Sequence, residues 1–223
     1  MPVKLSSVVP WGRSFEEYVG MFALTERDLK LRILDCAAGP SSFCAQMTAR
    51  GGTVVACDPI YEFSAEQIRL RVAEVRDDMI AQVRGQMGQF VWNCIRSPQH
   101  LEEMRMGAME RFLEDFAHDA TRQRYRVMSL PKLEFADGEF EVALCSHFLF
   151  LYSDWLDEAF HLASLRELLR VAKEVRIFPV TEMDGRPSRH LQKVRKQFQT
   201  KLVKVDYEFL RQANQMLICA SKM

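Results

Sequence analysis

Ile33-Leu34-Asp35-Cys36-Ala37-Ala38-Gly39-Pro40-Ser41 opens apolar and closes on small residues. Residues 31–36 therefore read as a buried strand, and 37–41 as a tight turn. Side chains without bulk at such a turn let the backbone approach a ligand closely. The helix that follows, 42–50, presents free N–H groups at the same place. Gly51-Gly52 closes that helix. Residues 53–58, Thr-Val-Val-Ala-Cys-Asp, form a second apolar strand that ends on an acid. Strand, helix and strand at this spacing make a βαβ unit, so the two strands are expected to run parallel. Asp58 follows Asp35 by 58 − 35 = 23 residues. In open α/β sheets an acid at that place accepts hydrogen bonds from ribose hydroxyls.

Outward from this unit, Ser14 is the expected N-cap of a helix over 14–24, with Glu16 and Glu17 in its first turn and Phe15, Val19 and Phe22 on one face. Residues 62–122 break the rhythm. Ser64 and Gln67 make a capping box ahead of Ile68, Val72, Val75 and Met79 at helical spacing. Ser97-Pro98 opens another helix, with Leu101, Met104, Ala108 and Phe112 on one side. This stretch is a helical insertion, since structureless loops of that length are rare in compact domains. Strands are expected again over 124–128 and 140–146, followed by a helix over 154–171, a strand over 174–178 and a helix over 188–200. Two closing strands near 202–209 and 215–220 flank a short turn and must be antiparallel. The reading is one α/β domain over 1–223. It is Rossmann-like and doubly wound, with a seven-stranded, mostly parallel sheet, an antiparallel C-terminal strand pair and a helical insertion after strand two.

The composition narrows the partners. Of 223 residues, 48% are hydrophobic and 27% charged, enough for a sizeable core in a water-exposed protein. Lys plus Arg and Asp plus Glu both total 30, so no global basic field attracts nucleic acid or an anionic membrane. A local basic stretch holds Arg186, Arg189, Lys193, Arg195, Lys196, Lys201 and Lys204, and reads as the solvated face of a late helix. Cys36, Cys44, Cys57, Cys94, Cys145 and Cys219 form no C-x-x-C pair and the histidines are scattered, so no metal site is expected. A reduced, cytoplasmic protein fits this cysteine usage. The first ten residues are too short and polar for a signal peptide, and no apolar run approaches the ~20 residues of a membrane span.

With these elements in place, the chain resembles the class I S-adenosylmethionine-dependent methyltransferases. That family's first motif runs hydrophobic-hydrophobic-Asp-x-Gly-x-Gly-x-Gly, and here Asp35 is followed by Ala37, Gly39 and Ser41 at the three glycine places. Its second motif is an acid ending strand two, matched by Asp58 and followed by Pro59-Ile60-Tyr61. Residues 133–145 resemble the family's run into strand four, and helix 165–171 leading into a strand matches as well. So does the closing antiparallel pair. The resemblance covers about 30–60 and 125–220 and leaves the insertion outside. It departs at Ala37 and Ser41, at Ser129 where the family often has an acid near adenine, and at Ala172-Lys173-Glu174 in place of a Pro-Gly-Gly turn. A nicotinamide-binding Gly-x-Gly-x-x-Gly fits worse, because Ala37, Gly39 and Ser42 supply one glycine of three.

The resemblance implies S-adenosylmethionine as cofactor, surrounded by Asp35, Ala37, Gly39, Ser41, Asp58, Pro59, Ile60, Ser129 and Ser146. It implies methyl transfer to an acceptor that the charge balance suggests is a small molecule. Asp35 either orients the turn or meets the cofactor's amino group. Ile60 and Tyr61 either flank adenine or pack. Trp11, Phe15 and Tyr18 either cover the cofactor or belong to the core. His147, at the carboxyl end of strand 140–146, is the candidate general base, with Ser146 placed to position an acceptor hydroxyl. The competing reading makes His147 a strand cap beside the apolar run 148–152. The insertion is expected to form a wall or lid of the acceptor pocket. The two replaced glycines leave open a second class, a non-catalytic cofactor-binding or partner-binding module.

Overall fold

The apolar runs line up at the centre of one seven-stranded sheet. In the computed structural model, which describes residues 11–119 and 123–220, the strands are β1 (Arg32–Cys36), β2 (Thr53–Cys57), β3 (Tyr125–Arg126), β4 (Phe140–Ser146), β5 (Ala172–Phe178), β6 (Thr200–Lys204) and β7 (Gln215–Ala220). Their order is β3-β2-β1-β4-β5-β7-β6. All pairs are parallel except β5 with β7 and β6 with β7. Leu34 of β1 stands opposite both Val55 of β2 and Ala143 of β4. Four of the five β1 residues are buried, as expected of a parallel strand covered on both faces. This is the Rossmann-like α/β fold expected from the sequence.

The helices are α1 (Phe15–Phe22), α2 (Phe43–Ala49), α3 (Ala65–Gly85), α4 (Pro98–His118), α5 (Glu158–Val171) and α6 (Leu191–Gln197). The alternation of side chains along each strand splits the core in two. Ile33, Leu144 and Phe178 face α1, α2, α3 and α4 in one apolar cluster. Leu34, Ala143 and Ile177 face α5 and α6 in the other. The insertion is a helical pair: α3 packs on α4, and α4 packs on α2. Ser14 and Glu17 complete a capping box at α1, and Ser64 with Gln67 does so at α3.

Several boundaries differ from the sequence expectation for identifiable reasons. α5 begins at Glu158 rather than 154 because Asp157 caps it, its Oδ1 accepting from Phe160 N at 2.8 Å. Asp154 instead pairs with Arg189 across the surface. α6 is shorter than 188–200 because the Ser188 hydroxyl accepts from His190 N before the first helical turn, and the chain after Gln197 extends into β6. β3 pairs only at Tyr125 and Arg126, and the chain then turns, with Ser129 bridged to Lys132. The strand expected near 202–209 is β6, Thr200–Lys204. Most of the basic stretch lies on the surface, with Arg186, Arg189 and Lys193 paired to Asp184, Glu182 and Glu158.

One interaction ties the insertion to the rest. Arg105 of α4 and Glu17 of α1 form an ion pair with side chains 1% and 3% exposed. The other Glu17 oxygen accepts from Tyr207 Oη at 2.7 Å. Burial pushes the Glu17 carboxyl up, but the Arg105 charge and its hydrogen bond outweigh burial and hold it below its ordinary value. Removing one partner strands a buried charge. Arg105→Met is therefore expected to cost about 3–5 kcal/mol in urea unfolding at neutral pH, and Glu17→Gln added to it should recover part of that loss. The depressed Glu17 value means its contribution is present above the ordinary 4.5 and fades as pH falls through the native value. Glu17→Gln should flatten the acid limb of the stability profile.

Candidate functional site

A cavity of about 540 Å³ opens at the carboxyl ends of β1, β2, β4 and β5. Its floor is the turn after β1. Ala37 and Gly39 both take left-handed backbone angles, φ 55° and 56°. Glycine does this freely, whereas Ala37 bears roughly 1 kcal/mol of strain. The turn is held by the carboxylate that ends β2. Asp58 Oδ2 accepts from Gly39 N at 2.9 Å, and Oδ1 accepts from Ile60 N at 2.9 Å. Tyr61 Oη donates to Gly39 O at 2.8 Å from the other side. Burial raises the Asp58 carboxyl above its ordinary value, opposed by these two N–H groups. A carboxylate has about four acceptor directions. Two are used here, and Asp58 lines the cavity.

Among the sequence-predicted residues, Ala37, Gly39, Asp58, Pro59, Ile60, Ser129, Ser146 and His147 line this one cavity. Asp35 and Ser41 lie behind it. Asp35 is fully buried; its Oδ1 accepts from Tyr18 Oη at 3.0 Å and its Oδ2 has no partner. Burial lifts its carboxyl well above the ordinary range, opposed by the Tyr18 hydrogen bond. The Ser41 hydroxyl accepts from Phe43 N at 3.1 Å and donates to the Arg13 carbonyl at 3.1 Å. Tyr61 packs among Phe112, Phe116 and Tyr125. Phe15 stacks on Phe43 within the core, while Trp11 and Tyr18 reach the cavity. Asn214 is tied to Glu208, and neither it nor Gln215 lines the cavity.

His147 follows β4 with φ 50°, its N–H donating to Phe178 O at 2.6 Å. Its Nδ1 is 2.9 Å from Ser146 Oγ. Burial, then the nearby charges of Arg13 and Arg105, hold its pKa well below the ordinary 6.5. The ring is therefore neutral near pH 7. His161 is different: both ring nitrogens face backbone carbonyls, Asp157 O at 2.7 Å and Leu149 O at 2.9 Å, outside the cavity lining.

Sequence reasoning missed part of the wall. Arg13 contributes from the segment before α1, and Tyr207, Phe209 and Leu210 from the link between β6 and β7. The insertion supplies Phe63, Met79, Val83, Phe90 and Leu101. Its apolar periodicity was visible, but the face it turns to the cavity was not. Among the described residues, no group of three or more His, Cys, Asp or Glu is arranged to hold a metal ion, and no helix is long and apolar enough to cross a membrane.

The depressed histidine has a measurable consequence. Below pH 6.5 the unfolded chain binds a proton at His147 that the native state refuses, so this site costs stability as pH falls. The loss is at most about 1.4 kcal/mol per pH unit. His147→Gln should remove that part of the slope between about pH 7 and 5 in denaturant titrations. An unchanged slope would mean that the imidazole is not desolvated.

No protein-family model matches the chain. The uncharacterized protein MJ0045 of Methanocaldococcus jannaschii is 37% identical over 217 residues, which cover 97% of both chains. Among solved structures, the bifunctional kinase-methyltransferase WbdD superposes with a TM-score of 0.50 at 12% identity, over 92% of this chain and 38% of that larger one. Magnesium protoporphyrin IX methyltransferase from Synechocystis PCC 6803, solved with bound SAM, superposes with a TM-score of 0.49 at 11% identity, over 93% of this chain and 78% of that one. The chain thus belongs to the same family as protein MJ0045, and its fold is the Rossmann-like fold of the class I methyltransferases.

Proposed function

We propose that this protein binds S-adenosylmethionine across the carboxyl ends of β1, β2 and β4 and transfers its methyl group to a small organic acceptor. The observation that carries the reading is the Asp58 carboxylate, which grips the turn through Gly39 N–H and still lines the cavity with acceptor capacity to spare. Ligands of open α/β sheets bind at this edge. A pair of ribose hydroxyls suits such a carboxylate. Ile60 and Ser129 are the residues for the adenine end, and the backbone of 37–39 for the thioether end.

The cofactor, when bound, supplies a methyl group already activated on a sulfonium. The chain's own part is alignment and exclusion of water. Met79, Val83, Phe90 and Leu101 of the insertion give the cavity an apolar wall suited to an organic acceptor. His147 receives a proton where the acceptor must lose one, with Nδ1–H donated to Ser146 Oγ and Nε2 left as the base. Its low pKa makes it a weak base, matched to acidic acceptors such as phenols, carboxylic acids and thiols. Net charge zero argues against nucleic acid as acceptor. A reducing, cytoplasmic setting suits the free thiols, all buried except Cys94.

The positions that favour a non-catalytic module are Ala37 and Ser41. Ala37 holds a glycine-like φ of 55°, and Ser41 makes two hydrogen bonds, so neither opens the turn. Methyl transfer is therefore the preferred reading. S-adenosylhomocysteine at 100 times its dissociation constant is expected to stabilise the protein by about 2.7 kcal/mol in thermal unfolding. Asp58→Ala should lose most of that increment. A protein indifferent to millimolar S-adenosylhomocysteine would contradict the proposal.

A further inference from the structure

Part of the cavity wall is hydrocarbon and is built by two distant segments. Residues 87–91 of the insertion and 207–213 of the link between β6 and β7 are zipped together. Val91 N donates to Phe209 O at 2.8 Å, and Arg211 N to Gln89 O at 2.9 Å. The Arg211 guanidinium donates to Gly88 O at 3.2 Å and to Phe90 O at 3.3 Å. These polar groups bond one another and are spent. Phe90, Phe209 and Leu210 line the cavity from the zipped segments, and Met79, Val83 and Leu101 line it from α3 and α4.

The polar groups beside this wall are engaged as well. Tyr207 Oη donates to Glu17 at 2.7 Å. The insertion's two charged lining residues, Glu62 and Arg71, are exposed, and Arg71 pairs with Glu74 at 2.9 Å. S-adenosylmethionine does not match such a wall. Its adenine, ribose and amino-acid end are polar, and burying polar groups without partners costs free energy. Hydrocarbon is the complement of an apolar wall, so this wall faces the acceptor.

A row of rings joins that wall to the reacting end. The His147 ring centroid lies 5.5 Å from that of Phe178, and Phe178 lies 5.8 Å from Tyr207. Two residues further on, Phe209 stacks on Phe90 at 4.7 Å. All five residues line the one cavity. An acceptor whose nucleophile sits at His147 therefore lays its body along Phe178 and Tyr207 toward Phe209 and Phe90. We infer that the acceptor is amphiphilic, an acidic head on an uncharged hydrocarbon body, and that Phe90, Phe209, Met79 and Val83 select it by that body. The inference rests on the proposed seats of the cofactor at Asp58 and of the acceptor's nucleophile at His147.

Titration calorimetry on the protein saturated with S-adenosylhomocysteine tests it, with phenol, 4-ethylphenol, 4-butylphenol and 4-hexylphenol as probes. Each added methylene is expected to tighten binding about fourfold until the wall is covered. The ether 4-(2-methoxyethyl)phenol has the length of 4-butylphenol but places an oxygen against the wall, and should bind about tenfold more weakly than it. Met79→Gln, at a half-buried position, should shrink the gain per methylene while S-adenosylhomocysteine affinity stays within about twofold. The wild-type series needs no variant, so it stands even where Met79→Gln fails to fold. An affinity indifferent to chain length, an ether that binds as well as the alkyl probe, or a gain that Met79→Gln leaves whole would overturn the hydrocarbon body while leaving cofactor binding at Asp58 intact. A protein that binds no S-adenosylhomocysteine would overturn both.

Discussion

The site is organised by one carboxylate. Asp58 follows β2 and joins two half-buried backbone N–H groups, Gly39 N on the turn after β1 and Ile60 N at the start of the next turn. One carboxylate bonded to both segments fixes the distance between the ends of two parallel strands. The strained angle at Ala37 is affordable because the turn is held from several sides: by Asp58, by Tyr61 Oη on Gly39 O, and by the 11–13 segment on Ser41 and Ser42. A cavity with a fixed floor follows, and its acceptor groups are preorganised before any ligand arrives.

Charge at the other end follows a second constraint. Two guanidiniums, Arg13 and Arg105, share the neighbourhood of His147, and the Glu17 carboxylate is bonded to Arg105 and Tyr207. Burial first, and this positive charge second, keep the imidazole neutral. Arg105 comes from α4, so the insertion contributes to the electrostatics of the site as well as to its apolar wall.

The central strands were legible because parallel strands covered on both faces are near-continuous apolar runs, as at 31–36, 53–58 and 140–146. Capping chemistry located α1 and α3 for the same local reason. The start of α5 was not legible, since Asp154 and Asp157 are both competent caps and the choice depends on Arg189, distant in sequence. Asp58 was readable from its place at a strand end. Arg13 was not: its significance comes from contacts with residues 28 and 29 positions later, which no periodicity encodes. Asp35 left two roles open, and only its complete burial against Tyr18 separates it from the cavity.

A crystal structure of the protein with S-adenosylhomocysteine tests the account most directly. The account predicts ligand in the cavity at the carboxyl ends of β1, β2 and β4, with the ribose hydroxyls within hydrogen-bond distance of the Asp58 oxygens and the adenine beside Ile60. Ligand seated elsewhere, or an Asp58 carboxylate left without contact to it, would contradict the account.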